Sequence, residues 1–161
     1  MGERPTSSAS DALAAALRLL TRRGHSEAEL DARLRRKGFT DEQVADALQR
    51  CRQFGYLDDT RFARERARAL MRDGRAVGRS LLADLARRGV AEATARAALE
   101  EAVQEYGEET LLGDLRRRRF PAFSWQQADD RQRQRVVNYF LRRGFPLALT
   151  LSILKDENDE R

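Results

Sequence analysis

Histidine and cysteine each occur once in this chain of 161 residues, tryptophan once and proline three times. With His25 as the only imidazole, a histidine-based triad, a histidine acid/base pair and a zinc cluster all lack parts, and His25 reads as a turn residue. One cysteine excludes an intramolecular disulfide and fits a reducing cytosol, so a cytoplasmic protein is expected. Cys51 follows Val44, Ala47 and Leu48 on one helical face and is expected as a buried, inert thiol. Long apolar runs are missing too: Ala12 to Leu20 is broken by Arg18, so neither a membrane span nor a signal peptide is expected. Met1-Gly2-Glu3-Arg4-Pro5-Thr6 formally fits a myristoylation pattern, which in a chain with no other membrane signal is a chance match. There is no Walker A loop and no glycine-rich dinucleotide fingerprint, so no nucleotide cofactor is expected.

Charge is what the chain has in quantity. Charged residues make up 35% and the formal net charge is +5, which favours an acidic partner such as nucleic acid or an acidic protein surface. The only lysines are Lys37 and Lys155, so the positive charge is nearly all arginine, whose planar fork suits phosphate and carboxylate; a coding bias toward arginine would leave the same composition. A 41% hydrophobic content can supply the core of one ordinary domain or a few small repeated units.

The most tightly specified stretch is Gly55-Tyr56-Leu57-Asp58-Asp59-Thr60-Arg61-Phe62-Ala63. Gly55 stops one helix and Asp58 caps the next, with Leu57 and Phe62 spaced as a hydrophobic staple. The helix that follows carries Arg61, Arg64, Arg68 and Arg72 along one face, with Glu65 at its edge. Arg75 continues the series unless Gly74 ends the helix first. A binding face and a solvated helix face both fit this stripe.

Three further patterns place the rest. Residues 1–10 read as a disordered leader and 156–161 as a frayed acidic tail. Leu13, Leu17 and Leu20 share a face of the first helix; Ser26 to Glu29 and Thr40 to Gln43 are capping boxes for the second and third, with Phe39 and Val44 as a staple. Above all, the unit repeats: Arg36-Lys37-Gly38-Phe39 recurs as Arg87-Arg88-Gly89-Val90 and as Arg142-Arg143-Gly144-Phe145. Leu30, Leu81 and Val136 stand eight residues before the glycine, and Leu34, Leu85 and Phe140 four before it. Leu48, Leu99 and Leu154 stand ten after. The expected all-α architecture is three three-helix units, at 11–55, 56–106 and 107–155. In each, a basic pair suits the negative helix end and a glycine takes the left-handed conformation.

Arg116, Arg117, Arg118 and Arg119 cannot share one helix face, so some must reach solvent or a partner. Phe123 and Trp125 in the Pro121 to Trp125 loop are expected under the third unit, although arginines beside aromatics also suit stacking on single-stranded nucleic acid. Asp58, Asp59 and Glu65 form the best candidate for a Mg²⁺-dependent nuclease, but the capping role explains Asp58 without metal. No catalytic and no metal residue is assigned. The chain reads as a binding protein, and a free-standing nucleic-acid-binding protein with helix-turn-helix-like repeats is the alternative; the acidic starts Thr40-Asp41-Glu42-Gln43 and Ala91-Glu92-Ala93 count against groove reading.

The Gly55 to Ala63 stretch, the repeated basic-pair glycine turns, the Ser26 to Leu34 helix and the Gly74-Arg75-Ala76-Val77-Gly78-Arg79 turn together resemble the RecX family of bacterial regulators, over about residues 11–155. Gly144 follows Gly89 by 55 residues where Gly89 follows Gly38 by 51, so the third unit departs most, around residues 116–130. The resemblance implies three tandem three-helix repeats forming an elongated, curved array. It further implies a protein that lodges in the groove of the RecA nucleoprotein filament across subunits, and suppresses ATP hydrolysis, strand exchange and co-protease activity; a monomer is expected. On that reading Arg61, Arg64, Arg68, Arg72, Arg75 and Arg79 form a basic face for RecA or for single- or double-stranded DNA. Arg116 to Arg119, Arg142 and Arg143 are second candidates. Gly38, Tyr56, Leu57, Asp58, Asp59, Phe62, Gly89 and Gly144 carry the structural motif.

Overall fold

Local sequence rules decide where the helices start. A computed structural model describes residues 8–156, and every regular element among them is an α-helix: α1 Ala9–Arg22, α2 Glu27–Arg36, α3 Asp41–Gln53, α4 Asp59–Arg72, α5 Gly78–Arg87, α6 Glu92–Tyr106, α7 Glu108–Arg119, α8 Asp130–Arg142 and α9 Leu147–Asp156. Reciprocal capping boxes open α2 at Ser26, α3 at Thr40 and α8 at Asp129, satisfying amide donors that would otherwise be orphaned. A box at Ser8 with Asp11 starts α1 earlier than expected, so residues 8–10, assigned to the leader, belong to the first helix and its cap. The remainder of the leader, and the tail after Asp156, lie outside the described residues.

The helices form three tandem three-helix repeats in an elongated, curved row. Within each of the first two units the first helix packs most extensively on the third, α1 on α3 and α4 on α6. Alanine makes this possible: Ala12, Ala15, Ala16 and Ala47 are buried in the first unit, and Ala63, Ala67, Ala95, Ala98 and Ala102 in the second. Leu13, Leu17 and Leu20, expected to face inward, are only partly buried against that core, because the close approach of α1 and α3 admits methyl groups and leaves isobutyl groups at its margin.

The glycine turns do more than end helices. In all three, the glycine amide bonds the carbonyl three residues back and the next amide bonds the carbonyl five back: Gly38 to Arg35 with Phe39 to Leu34, Gly89 to Ala86 with Val90 to Leu85, Gly144 to Leu141 with Phe145 to Phe140. Each glycine has a positive φ, 93°, 77° and 95° in chain order. The turn after α5 then seats on the N-terminus of α2, where Ser26 Oγ donates to the Arg88 carbonyl and a Cβ on Gly89 would run into Ala28. The turn after α8 seats likewise on the N-terminus of α5: the Val77 amide donates to the Arg143 carbonyl at 2.8 Å, and a Cβ on Gly144 would strike the Val77 carbonyl. The second helices of successive repeats therefore stack end to end, negative terminus against positive terminus, with their dipoles aligned.

Among the described residues the three repeats share two cores. Buried residues from α1 to α3, with Leu57, form one cluster, whereas α4 to α9 share a single larger one, from Phe62 through Leu112 and Leu115 to Phe140 and Leu154. Leu57 and Phe62, spaced as a staple, are thus divided between the cores. The extra length of the third repeat lies in the α7–α8 connection, residues 120–129, against 73–77 and 23–26 in the others. There Phe123 and Trp125 pack on the larger core, as expected, and Arg133 and Lys155 lie over the Trp125 ring at 5.3 and 5.4 Å.

Candidate partner-binding face

Helix periodicity aligns Arg61, Arg64, Arg68 and Arg72 on α4, and all four are exposed. Their charges are not left alone. Arg64 meets Glu101 at 2.9 Å and Arg68 meets Glu105 at 2.7 Å, both carboxylates coming from α6, while Arg72 reaches Asp73 at 3.2 Å and Arg61 donates to the Gly55 carbonyl at 3.0 Å. Glu101 and Glu105 lie 37 residues from their partners, so a linear reading of α4 overlooks them. With both members of each α4–α6 pair about half exposed, such pairs stabilise by only about 0–1 kcal/mol and can be exchanged for an outside carboxylate at little cost.

The six arginines of the expected face do not stay together on one element. Gly74, at φ 63°, ends α4, and its buried Cα leaves room for Leu115, whose side chain would lie 2.7 Å from an added Cβ. Arg75 follows that turn. Arg79 sits in the first turn of α5, where it lines a groove with Arg142, Glu108 and Leu141. Arg116 turns inward and donates to the Phe123 carbonyl at 2.9 Å, whereas Arg117, Arg118 and Arg119 are exposed, Arg117 pairing with Asp114 at 2.5 Å. Arg143 folds back over Tyr139, 3.6 Å from the ring centroid, so of the last basic pair only Arg142 is presented outward.

The motif residues divide between surface and joint. Asp58 caps α4 by accepting from the Thr60 and Arg61 amides at 2.9 and 3.2 Å. Asp59 does something that spacing did not suggest: its Oδ1 accepts the Glu27 amide at 2.8 Å and so caps α2 of the preceding repeat. Tyr56 is 55% exposed, its ring tilted against the 64% exposed Phe54 at 6.2 Å.

Beside Asp59 lies a charged cluster that sequence reasoning missed. Asp84 accepts two bonds from Arg66, at 2.9 and 3.0 Å, and one from Arg88 at 3.1 Å; Arg88 also pairs with Glu29 at 2.6 Å, and Arg23 with Glu29 at 3.2 Å. The Arg66 bonds hold the Asp84 carboxyl below its ordinary range against the opposing effect of burial. For Glu29 burial alone would raise the carboxyl, but the Arg88 and Arg23 bonds outweigh it and the net shift is downward. His25 is buried in the adjoining turn, which lowers its pKa and favours the neutral ring, with Nδ1 3.0 Å from the Arg23 carbonyl. Burial pushes the Cys51 thiol up, in keeping with an inert side chain.

Among the described residues no group of three or more histidine, cysteine, aspartate or glutamate side chains is placed to hold a metal ion, and no helix is long and apolar enough to cross a membrane. The family description "RecX, first three-helix domain" matches residues 12–51, from α1 through most of α3. The chain is 49% identical over 147 residues to a regulatory protein RecX from Syntrophotalea carbinolica, covering 91% of this chain and 96% of that protein. The chain belongs to the RecX family. A RecX from Thermus thermophilus is 37% identical over 151 residues, covering 94% of this chain and 95% of that protein. In fold, a crystal structure titled regulatory protein RecX matches with a TM-score of 0.76 at 20% identity, over 90% of this chain and 72% of that one. The RecX from Lactobacillus salivarius matches with 0.68 at 16%, over 90% and 93%. RecX proteins are a family of regulatory proteins rather than an enzyme family.

Proposed function

We propose that the chain is a negative regulator of homologous recombination and of the SOS response. In this reading it binds the RecA nucleoprotein filament in the cytoplasm, lodges in the filament groove across subunits, and inhibits ATP hydrolysis, strand exchange and co-protease activity. The observation that carries the reading is the curved row of repeats with an accessible arginine stripe on its middle unit. Such a row lets different repeats meet different subunits, which multiplies weak contacts into avidity. Inhibition requires tighter binding to an inactive or broken filament than to the active one, because equal binding to both shifts nothing. Whether the inhibitor blocks subunit addition or wedges neighbouring subunits apart, its loosely held pairs on α4 can trade Glu101 and Glu105 for acidic groups on the filament.

The test is DNA-dependent ATP hydrolysis by RecA on single-stranded DNA, with the chain at sub-stoichiometric and then equal amounts. An Arg64→Glu, Arg68→Glu variant is compared after circular dichroism has established its fold. Inhibition by the native chain and its loss in the variant are expected. Equal inhibition by both would remove the stripe from the interface, and absence of inhibition together with strong, salt-sensitive DNA binding would replace the reading by direct nucleic-acid binding.

A further inference from the structure

The basic-pair glycine turn occurs three times, and in two of them it is filled by the same kind of object. The turn after α5 receives the N-terminus of α2, and the turn after α8 receives the N-terminus of α5. In both, a donor on the residue just before the seated helix meets the carbonyl of the second basic residue, Arg88 or Arg143. In the first, the acidic residue at the third helical position, Glu29, also pairs with the arginine of the turn. The turn after α2 has the same backbone hydrogen bonds and a positive φ as well, yet nothing among the described residues approaches within 4 Å of the space a Cβ on Gly38 would occupy.

The groups that do the seating elsewhere meet no such partner here. Among the described residues no donor meets the Lys37 carbonyl and neither Arg36 nor Lys37 has an acidic partner, Arg36 reaching only the Ala32 carbonyl of its own helix at 3.5 Å. Arg36, Lys37 and Gly38 are exposed, and Phe39 is half-buried where Val90 and Phe145 are 5% and 2% exposed. The negative end of α2 and the two cations around it complement a positive helix terminus bearing an acidic first turn, as the end of α5 complements α2.

We propose that Arg36, Lys37, Gly38 and Phe39 form a docking site for the N-terminus of an α-helix in a partner protein, with serine or threonine at its cap and glutamate at its third helical position. The partner helix extends the end-to-end stack of α8, α5 and α2 by one more member. The cap side chain or amide donates to the Lys37 carbonyl, the glutamate pairs with Lys37 or Arg36, and the backbone closes over Gly38. This site is separate from the α4 stripe and is independent of which filament or protein supplies the helix.

The probe is a lactam-bridged helical peptide copying residues 25–36 of this chain, which carries such a cap in Ser26 and Glu29. It is titrated into the full-length ¹⁵N-labelled protein and amide shifts are followed. Shifts centred on Lys37, Gly38 and Phe39 are expected, with binding weakened roughly tenfold by Arg36→Glu with Lys37→Glu, and similarly by a peptide carrying Ser26→Ala and Glu29→Lys. The two chain substitutions lie on exposed side chains, and an unchanged spectrum away from the turn verifies the fold. Shifts at Arg88 to Val90 or Arg143 to Phe145 instead, or none at millimolar peptide, overturn the proposal. So does a single-stranded oligonucleotide that shifts the Lys37 to Phe39 amides where the peptide does not. Self-association in sedimentation velocity that the charge reversal abolishes assigns the turn to a second copy, and overturns it as well.

Discussion

Glycine at three equivalent positions answers to two different sets of constraints. At Gly38 only the positive φ matters, so Gly38→Ala is expected to cost about 1–2 kcal/mol. At Gly89 and Gly144 an added methyl also strikes the neighbouring repeat, so those substitutions should cost roughly 3 kcal/mol or more, and urea denaturation of the three variants should separate the first from the other two. The left-handed turn was legible in each Arg-Arg/Lys-Gly sequence; the close approach was not, because it depends on a helix some sixty residues away in the chain. Asp84 presents the same contrast at the level of charge. Its folded-state pKa is depressed, so its contribution is present above the ordinary aspartate value and is lost as pH falls through the folded value; Glu29, also depressed, acts in the same direction. Stability is therefore expected to decline as pH drops below about 4, and Asp84→Ala to flatten that decline while costing about 1–3 kcal/mol at neutral pH, checked by denaturation at a series of pH values. Asp59→Ala should lower stability by about 1 kcal/mol through the lost cap on α2, with no dependence on added Mg²⁺; a Mg²⁺-dependent effect would return Asp59 to the candidate metal site.

Helices behave here as members of cores rather than of repeats. The repeat pattern placed Leu30, Leu81, Val136, Leu34, Leu85 and Phe140 inside, and all six are buried, because positions eight and four before the glycine that ends the second helix of each unit lie on one face of that helix. The same pattern suggested three equivalent units and could not reveal that α4 to α9 share one core, since which units fuse depends on contacts such as Leu115 over Gly74 that no periodicity encodes. The alanine seam of α1 was hidden for a related reason: a hydropathy reading favours Leu13, Leu17 and Leu20, while helix proximity selects Ala12, Ala15 and Ala16. Stability should follow the cores. Deleting residues 108–161 strips Leu112, Leu115, Phe140 and Leu154 from the shared core and is expected to unfold α4 to α6 with them, whereas deleting residues 1–57 should leave α4 to α9 helical and cooperative. Circular dichroism and thermal unfolding of the two truncations distinguish this from three independent repeats, which would lose helix in proportion to length.

The whole molecule's curvature rests on unlike joints. Repeats two and three are fixed by a common apolar core, but the joint between repeats one and two is polar: Ser26 to the Arg88 carbonyl, Glu27 to Asp59, and the Glu29, Arg88, Asp84 and Arg66 cluster. Bonds to charged groups at a partly buried joint contribute about 1.5–3 kcal/mol each, enough to hold one angle and little enough for one substitution to release it. Arg88→Ala removes the ion pair to Glu29 that crosses the joint, together with the pair to Asp84 within the second repeat, while leaving both cores untouched, so helical content should persist and only the relation of α1–α3 to the remainder should loosen. If the proposed inhibitor gains its affinity by placing different repeats on different subunits, a loosened joint lowers the effective concentration of the second contact, and avidity of that origin is worth about 10²–10⁴. The concentration of Arg88→Ala needed for half-inhibition of the RecA ATPase should then rise by roughly tenfold or more, with small-angle scattering reporting a broadened distribution of shapes. An unchanged half-inhibition concentration alongside that broadening would mean that one face of one repeat does the binding, and that the row's curvature serves only to keep the other units out of the way.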